Sequence, residues 1–82
     1  MSPTLLRQGP YRFHFYAGDG AEPPHVHIAA AGKQEAKIWL TPVRVAQASG
    51  YSPREVRIGL CIVQEHREQF LIAWHEFFRP KP

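Results

Sequence analysis

The stretch Gly50–Glu55, with the sequence Gly-Tyr-Ser-Pro-Arg-Glu, divides this chain into two parts of different periodicity. Ser52 and Glu55 have the spacing of a capping box, in which each side chain accepts a hydrogen bond from the other residue's backbone amide. Pro53 falls at the first helical position, where its missing N–H leaves no partner unsatisfied. The stretch therefore predicts that a helix begins at residue 53.

Beyond this start, apolar residues recur every three or four positions, as in an amphipathic helix. They are Val56, Leu60, Val63, Phe70, Trp74 and Phe77. His66 and Arg67 interrupt the series, so either one long helix or two helices extend to about Phe78. Pro80 and Pro82 end the pattern.

Before residue 50, short segments rich in aromatic and β-branched residues are separated by Gly, Asp and Pro, which predicts strands and turns. The segments are Tyr11–Ala17, His25–Ala30 and Glu35–Leu40. Val43–Gln47 and Thr4–Arg7 are further candidate strands, and Pro42 is expected to end the strand before it. Short connections between consecutive strands favour an antiparallel meander.

We therefore expect an α+β fold in which a three- to four-stranded antiparallel sheet (about residues 4–47) is followed by a C-terminal helical segment (about 52–79). The helical segment, as one long helix or two helices, should pack on one face of the sheet. With 82 residues the chain has room for one domain, residues 1–82.

Composition narrows the class of protein. The chain has one cysteine, Cys61, which excludes an intramolecular disulfide and is most simply a small buried apolar residue. The N-terminus lacks the apolar core of a signal peptide, and no apolar run approaches the roughly 18–20 residues that span a bilayer. We expect a soluble, cytoplasmic protein. A net charge of +3 without a basic run permits nucleic-acid contact without predicting it.

Alternation of side chains along the predicted strands sorts residues onto two faces. The apolar face holds Phe13, Phe15, Val26, Ile28, Ala36, Ile38 and Leu40. The opposite face holds Arg12, His14, Tyr16, His25, His27, Lys37 and Trp39. Three of the five histidines thus share one face with aromatic and cationic side chains.

His25 and His27 should lie about 6.5–7 Å apart on that face, close enough for both imidazoles to bind one metal at about 2.0–2.1 Å. His14, Asp19 and Glu22 are the candidates for a third ligand of a divalent metal such as zinc. Two alternatives stay open. In the first, the pair are ordinary surface histidines. In the second, they bind phosphate or transfer protons in phosphodiester cleavage while Arg12 or Lys37 offsets developing charge.

In the helical segment, His66 is interpreted as a partly buried histidine bonded to backbone, and Trp74 as a core residue. If the helical segment packs opposite the histidine face, His66 cannot join His25 and His27 within one monomer.

Several motifs together resemble the small bacterial domain-of-unknown-function family 4160. They are Tyr11-Arg12-Phe13, Glu22-Pro23-Pro24-His25-Val26-His27, Ala36-Lys37-Ile38-Trp39-Leu40-Thr41-Pro42, Gly50-Tyr51-Ser52 with Glu55, and Trp74-His75-Glu76-Phe77-Phe78. His66-Arg67-Glu68 also resembles one branch of the family. In that branch a histidine follows the loop aspartate, whereas here Gly20 follows Asp19.

The resemblance implies a short cytoplasmic protein, often encoded beside another small protein in what look like toxin–antitoxin pairs. If the shared motifs mark a site, it includes His25, His27, Asp19, His66 and Trp74. We therefore expect a binding or regulatory module that contacts a partner protein or nucleic acid, with a homodimer as a further possibility. Its binding candidates are Arg12, His14, His25, His27, Lys37, Trp39, His66 and Trp74. The alternative is a metal-dependent or histidine-based hydrolase, such as a ribonuclease.

Overall fold

A computed structural model describes residues 4–79, and this part of the chain contains five strands, one short 3₁₀ helix and two α-helices. The strands are β1 (Thr4–Gln8), β2 (Tyr11–His14), β3 (His25–Ala29), β4 (Ala36–Leu40) and β5 (Val43–Gln47). The 3₁₀ helix is Ala17–Ala21, and the α-helices are α1 (Pro53–Glu65) and α2 (Arg67–Phe77). The predicted α+β architecture is confirmed. The sheet has five strands instead of three to four, because both further candidate strands pair along its edges.

The five strands form one antiparallel meander in the order β1-β2-β3-β4-β5. The β1–β2 connection passes through Gly9, whose φ of +58° lies in the left-handed region that glycine adopts without strain. Thr41 and Pro42 connect β4 to β5 through a cis peptide bond. β4 ends at Leu40, two residues before Pro42, as predicted.

The core lies between one face of the sheet and the two helices. Phe13, Val26 and Leu40 are completely buried on that face, and Val63 and Phe70 are completely buried on the helices. The Phe13 and Phe70 rings stack with centroids 5.9 Å apart, which joins β2 to α2. The predicted sorting of the strands into an apolar and a polar face is thus observed.

The helix begins where the sequence predicted. Ser52 is the N-cap: its hydroxyl accepts from the Glu55 amide at 3.1 Å, and the Glu55 carboxylate accepts from the Ser52 amide at 2.8 Å. Of the two alternatives for the helical segment, two helices is correct, and the break lies at His66. Arg67 fixes the start of α2 on the sheet, since its Nε donates to the Leu40 carbonyl at 2.6 Å and its Nη2 to Thr41 Oγ1 at 3.2 Å.

The expected burial of two apolar side chains is wrong. Cys61 is exposed, because it lies on the side of α1 that faces away from the sheet. Phe77 ends the predicted apolar series but is 44% exposed, although its ring contacts Phe15 with centroids 5.3 Å apart. Neither helix within residues 4–79 has the length and apolar character needed to cross a bilayer.

Candidate metal centre

The first residues of β3 place two imidazoles on the sheet face opposite the core. Val26 and Ile28 are 0% and 3% exposed among the core residues, so the alternation turns His25 and His27 to the other side. Neither is an open surface histidine. His25 is completely buried and the side chain of His27 is 15% exposed. Their ring centroids lie 5.0 Å apart.

The 3₁₀ helix brings a carboxylate to these imidazoles. The Tyr16 amide donates to Asp19 Oδ2 at 2.8 Å, which holds the aspartate side chain over the start of β3. The same oxygen lies 3.0 Å from His27 Nε2 and 3.3 Å from His25 Nε2. One ligand atom from each of these three residues falls within a group whose atoms all lie within 4.8 Å of one another.

The backbone carbonyl of Pro23 sets the ring orientation of His25. Its Nδ1 lies 2.9 Å from the Pro23 carbonyl oxygen, which can only accept, so Nδ1 carries the proton. Nε2 is buried and has no hydrogen-bond partner, although a carboxylate oxygen lies 3.3 Å away. A neutral His25 therefore directs a lone pair at Asp19. A cation between the two would satisfy both groups.

The separations fit one metal ion. Two ligand atoms bound at about 2.0–2.1 Å with angles of roughly 90–110° lie about 3.0–3.4 Å apart. The distances from Asp19 Oδ2 to the two Nε2 atoms fall in this range. Two imidazoles with one carboxylate suit a divalent transition metal better than Mg²⁺ or Ca²⁺, which prefer oxygen ligands.

Aromatic side chains enclose this centre. The Trp74 ring of α2 lies 5.1 Å from the His25 ring and the Trp39 ring lies 5.5 Å from it, between centroids. Phe78 packs against Trp74 at 4.2 Å. A Cβ atom on Gly20 would lie 2.6 Å from the Phe78 ring. A side chain at position 20 would therefore require Phe78 to move.

A second polar cluster adjoins the centre. Glu35 Oε2 accepts from Tyr16 Oη at 2.6 Å and from His14 Nε2 at 3.1 Å, and Glu35 Oε1 lies 3.9 Å from His27 Nδ1. The His14 and His27 rings stack at 5.6 Å, as expected for cross-strand partners. At 3.9 Å the contact between Glu35 and His27 is too long for a hydrogen bond, so Glu35 acts on His27 only as a nearby negative charge.

The local electrostatics follow from these contacts. Burial lowers the pKa of His14, with Arg12 and His27 adding to the effect and the Glu35 carboxylate opposing it. Burial works to raise the pKa of Asp19, but the Tyr16 amide and the two adjacent histidines outweigh it and lower that pKa. The hydrogen bond to Glu35 raises the pKa of Tyr16. Asp19 is therefore ionised and His14 neutral near neutral pH.

The other candidates from the sequence lie around the centre or away from it. His14 is completely buried and bonded to Glu35, while Glu22 is paired with Lys37 and lies 3.7 Å from His25 Nδ1. Lys37 also sits 4.5 Å above the Trp39 ring. Because Pro23 occupies His25 Nδ1, Glu22 faces the wrong nitrogen to share a metal with Asp19.

His66 is partly buried as predicted, but the partner of its Nδ1 is the Gln69 side chain at 3.4 Å and not backbone, and its ring contacts Phe70. It is about 12 Å along the helix from Trp74 at 1.5 Å per residue. Within residues 4–79, no contact joins it to the histidines of β3. This agrees with the expectation that His66 cannot join His25 and His27 when the helical segment packs opposite the histidine face. It is Trp74, at the far end of the same helix, that reaches His25.

Sequence reasoning placed Tyr16 on the histidine face but selected neither Tyr16 nor Glu35 as a site residue. The signal that identifies Glu35 is its position beside β4, from which its side chain turns toward the same face as His14 and His27. Tyr16 follows His14 by two residues, which puts both on one face.

The fold and the centre together define a small α+β domain with two histidines and one aspartate clustered beside an antiparallel sheet. The chain belongs to the family described as Domain of unknown function (DUF4160), whose model matches residues 11–75. The matched range contains Asp19, His25 and His27 and confirms the resemblance noted from the motifs. Comparison with curated proteins and with solved structures gives no match.

Proposed function

We propose that this protein is a small binding module that holds a divalent transition-metal ion at Asp19, His25 and His27. One observation carries the proposal: the buried Nε2 of His25 has no hydrogen-bond partner and faces a carboxylate oxygen that His27 Nε2 also faces. The tautomer that supplies a metal ligand is already selected by the Pro23 carbonyl.

Burial supports the same conclusion. Leaving a buried polar atom unpaired costs about 1–3 kcal/mol, and a cation between His25 Nε2 and Asp19 would remove that cost at His25. Trp39 and Trp74 limit access of water to His25. Three protein ligands are also the usual complement of a metal site that keeps one position open.

Zinc titration by calorimetry tests the proposal. Wild-type protein, purified in a chelator and desalted, should bind Zn²⁺ with one ion per chain. His27→Gln should weaken binding by more than the roughly 10–100-fold that outer partners of a metal typically contribute. His75→Gln is the matched control, because His75 is exposed on α2 and makes no contact with the centre among the described residues. Equal affinity of the two variants would contradict the proposal.

Metal-assisted hydrolysis is a second candidate function, favoured by the small number of protein ligands. Asp19, His25 and His27 would leave a coordination position for water on a bound ion. A site with an open metal position can activate water for attack on a phosphodiester. Wild-type protein with Zn²⁺ or Mn²⁺ should then cleave a small phosphodiester such as bis(p-nitrophenyl) phosphate, and Asp19→Asn should not. Absence of cleavage with either metal would refute this second function.

The role expected from the family resemblance, a bacterial, cytoplasmic component of a toxin–antitoxin-like pair, stays a prediction. His14 and His25 have no exposed surface. A partner protein on this face would therefore contact neighbouring residues such as Arg12 and Lys37. Co-expression with the product of the adjacent gene should give a complex that co-elutes in gel filtration. Separate elution of the two proteins would refute that role.

A further inference from the structure

We infer that the sheet face opposite the helices binds single-stranded nucleic acid, with a phosphate held between Arg7 and Arg12. This inference goes beyond the proposed function and does not require the metal. The observation that carries it is a pair of arginines placed directly opposite each other on neighbouring strands.

Arg7 of β1 and Arg12 of β2 are cross-strand partners. The adjacent pair, Leu6 and Phe13, faces the core, so both arginines project to the open face. Like charges directly opposite in a sheet destabilise it. Arg12 bonds to the neutral Thr4 hydroxyl, and neither arginine has a carboxylate partner among the described residues. An anion between the two guanidinium groups would remove this repulsion.

The surface beside these arginines has room for a ligand. An open groove of about 410 Å³ is lined by Arg7, Pro10, Arg12 and the short side chains of Ala29, Ala30 and Ala31. The alanines leave the guanidinium groups accessible, and paired arginines bind phosphate oxygens through several parallel N–H donors. The groove therefore matches a phosphate group better than an uncharged ligand.

Acidic side chains on the same face are already engaged, which leaves the arginines in excess. Glu22 pairs with Lys37, Glu35 accepts from His14 and Tyr16, and Asp19 faces the β3 histidines. Arg44 of β5, the cross-strand partner of Trp39, adds a further exposed cation. At about 4.8 Å between strands, the cations extend over about 19 Å from β1 to β5.

Aromatic side chains on this face favour nucleic acid over an acidic protein. Tyr16 is 40% exposed and Trp39 is half-buried next to Lys37. Proteins that bind single strands combine a cationic track for the backbone with aromatic rings on which bases stack. Each stacked base contributes without sequence preference, because every base has a π-face.

Fluorescence anisotropy with a labelled mixed-sequence RNA of about twelve nucleotides, within the usual range of site sizes, tests the inference. EDTA in the buffer removes bound metal, so failure of this inference is distinguishable from failure of the metal proposal. Arg7→Gln with Arg12→Gln should weaken binding at least about tenfold. It should also reduce the slope of log K against log salt by about 0.7, the contribution of the one phosphate held between the two arginines.

Arg54→Gln with Arg57→Gln is the matched control, since it removes the same charge from exposed positions of α1, on the other side of the sheet. It should leave affinity and salt slope close to wild type. Equal weakening by both double variants would show that only net charge matters and would overturn the inference. Equal affinity for a poly-glutamate peptide, or no binding of RNA at low salt, would overturn it as well.

Discussion

His25 Nε2 lies 3.3 Å from Asp19 Oδ2 without forming a hydrogen bond, although both atoms belong to groups that water does not reach freely. Two local hydrogen bonds to backbone groups fix this geometry. The Pro23 carbonyl turns the His25 ring, and the Tyr16 amide turns the Asp19 carboxylate. Tyr16, Asp19 and Pro23 all belong to the loop that joins β2 to β3, so this loop positions the side chains of the centre.

Asp19→Asn should abolish high-affinity Zn²⁺ binding while keeping the fold. The amide oxygen of asparagine can still accept from the Tyr16 amide, but it lacks the charge that a cation between two imidazoles requires. Calorimetric titration should show an affinity for Zn²⁺ reduced more than about 100-fold. Loss of a residue that only hydrogen-bonds to a metal ligand typically reduces affinity by roughly 10–100-fold. Circular dichroism should show unchanged secondary structure. Retained affinity would remove the aspartate from the ligand set.

Gly20→Ala should destabilise the protein by about 1–3 kcal/mol, the usual cost of overpacking. The added Cβ would lie 2.6 Å from the Phe78 ring, which is itself packed on Trp74. Gly18→Ala is the matched control, because a Cβ there meets nothing within 4 Å. Urea denaturation measures both free energies of unfolding. A Gly20→Ala variant as stable as its control would place Phe78 away from the loop.

Ser52→Ala should cost about 1 kcal/mol of stability, because it removes the side-chain acceptor for the Glu55 amide at the start of α1. Ser49→Ala, three residues earlier and exposed, is the control and should be neutral. Thermal denaturation of both variants checks the prediction. Equal melting temperatures would show that the capping box does not stabilise this helix.

Glu55 should contribute a pH-dependent part of the stability. Hydrogen bonding from the Ser52 amide and the Lys33 side chain lowers the pKa of Glu55 below its usual 4.5, against a smaller opposing effect of burial. A depressed folded-state pKa gives stability that is present above the unfolded-state value and is lost as pH falls through the folded-state value. The free energy of unfolding, measured by urea denaturation from pH 7 down to acid pH, should therefore fall less steeply for Glu55→Gln than for wild type. Parallel curves would contradict this.

The fold was predictable because its signals are local. The helix start depends on Ser52, Pro53 and Glu55, and the two faces of the sheet depend on alternation around Val26 and Ile28. The break at His66 was visible as an interruption of the apolar series, but the choice between one helix and two depends on Arg67. That residue bonds to the end of β4, a tertiary contact that periodicity does not contain.

The centre was predictable only in part. The pairing of His25 with His27 follows from strand geometry, and Asp19 was one of three candidates for the third ligand. What selects Asp19 over Glu22 is the tautomer of His25, which depends on a backbone carbonyl. The burial of His25 by Trp74 depends on how α2 packs against the sheet, a tertiary contact that local sequence patterns do not contain.

X-ray absorption at the zinc edge, on protein loaded with one equivalent of Zn²⁺ and desalted, tests the metal centre most directly. The account predicts that zinc stays bound, with nitrogen and oxygen neighbours at about 2.0–2.2 Å and the outer-shell scattering of two imidazoles. It also predicts that His27→Gln leaves the signature of one imidazole. Loss of zinc on desalting, or a spectrum without imidazole scattering, would contradict a metal ion bound between Asp19, His25 and His27.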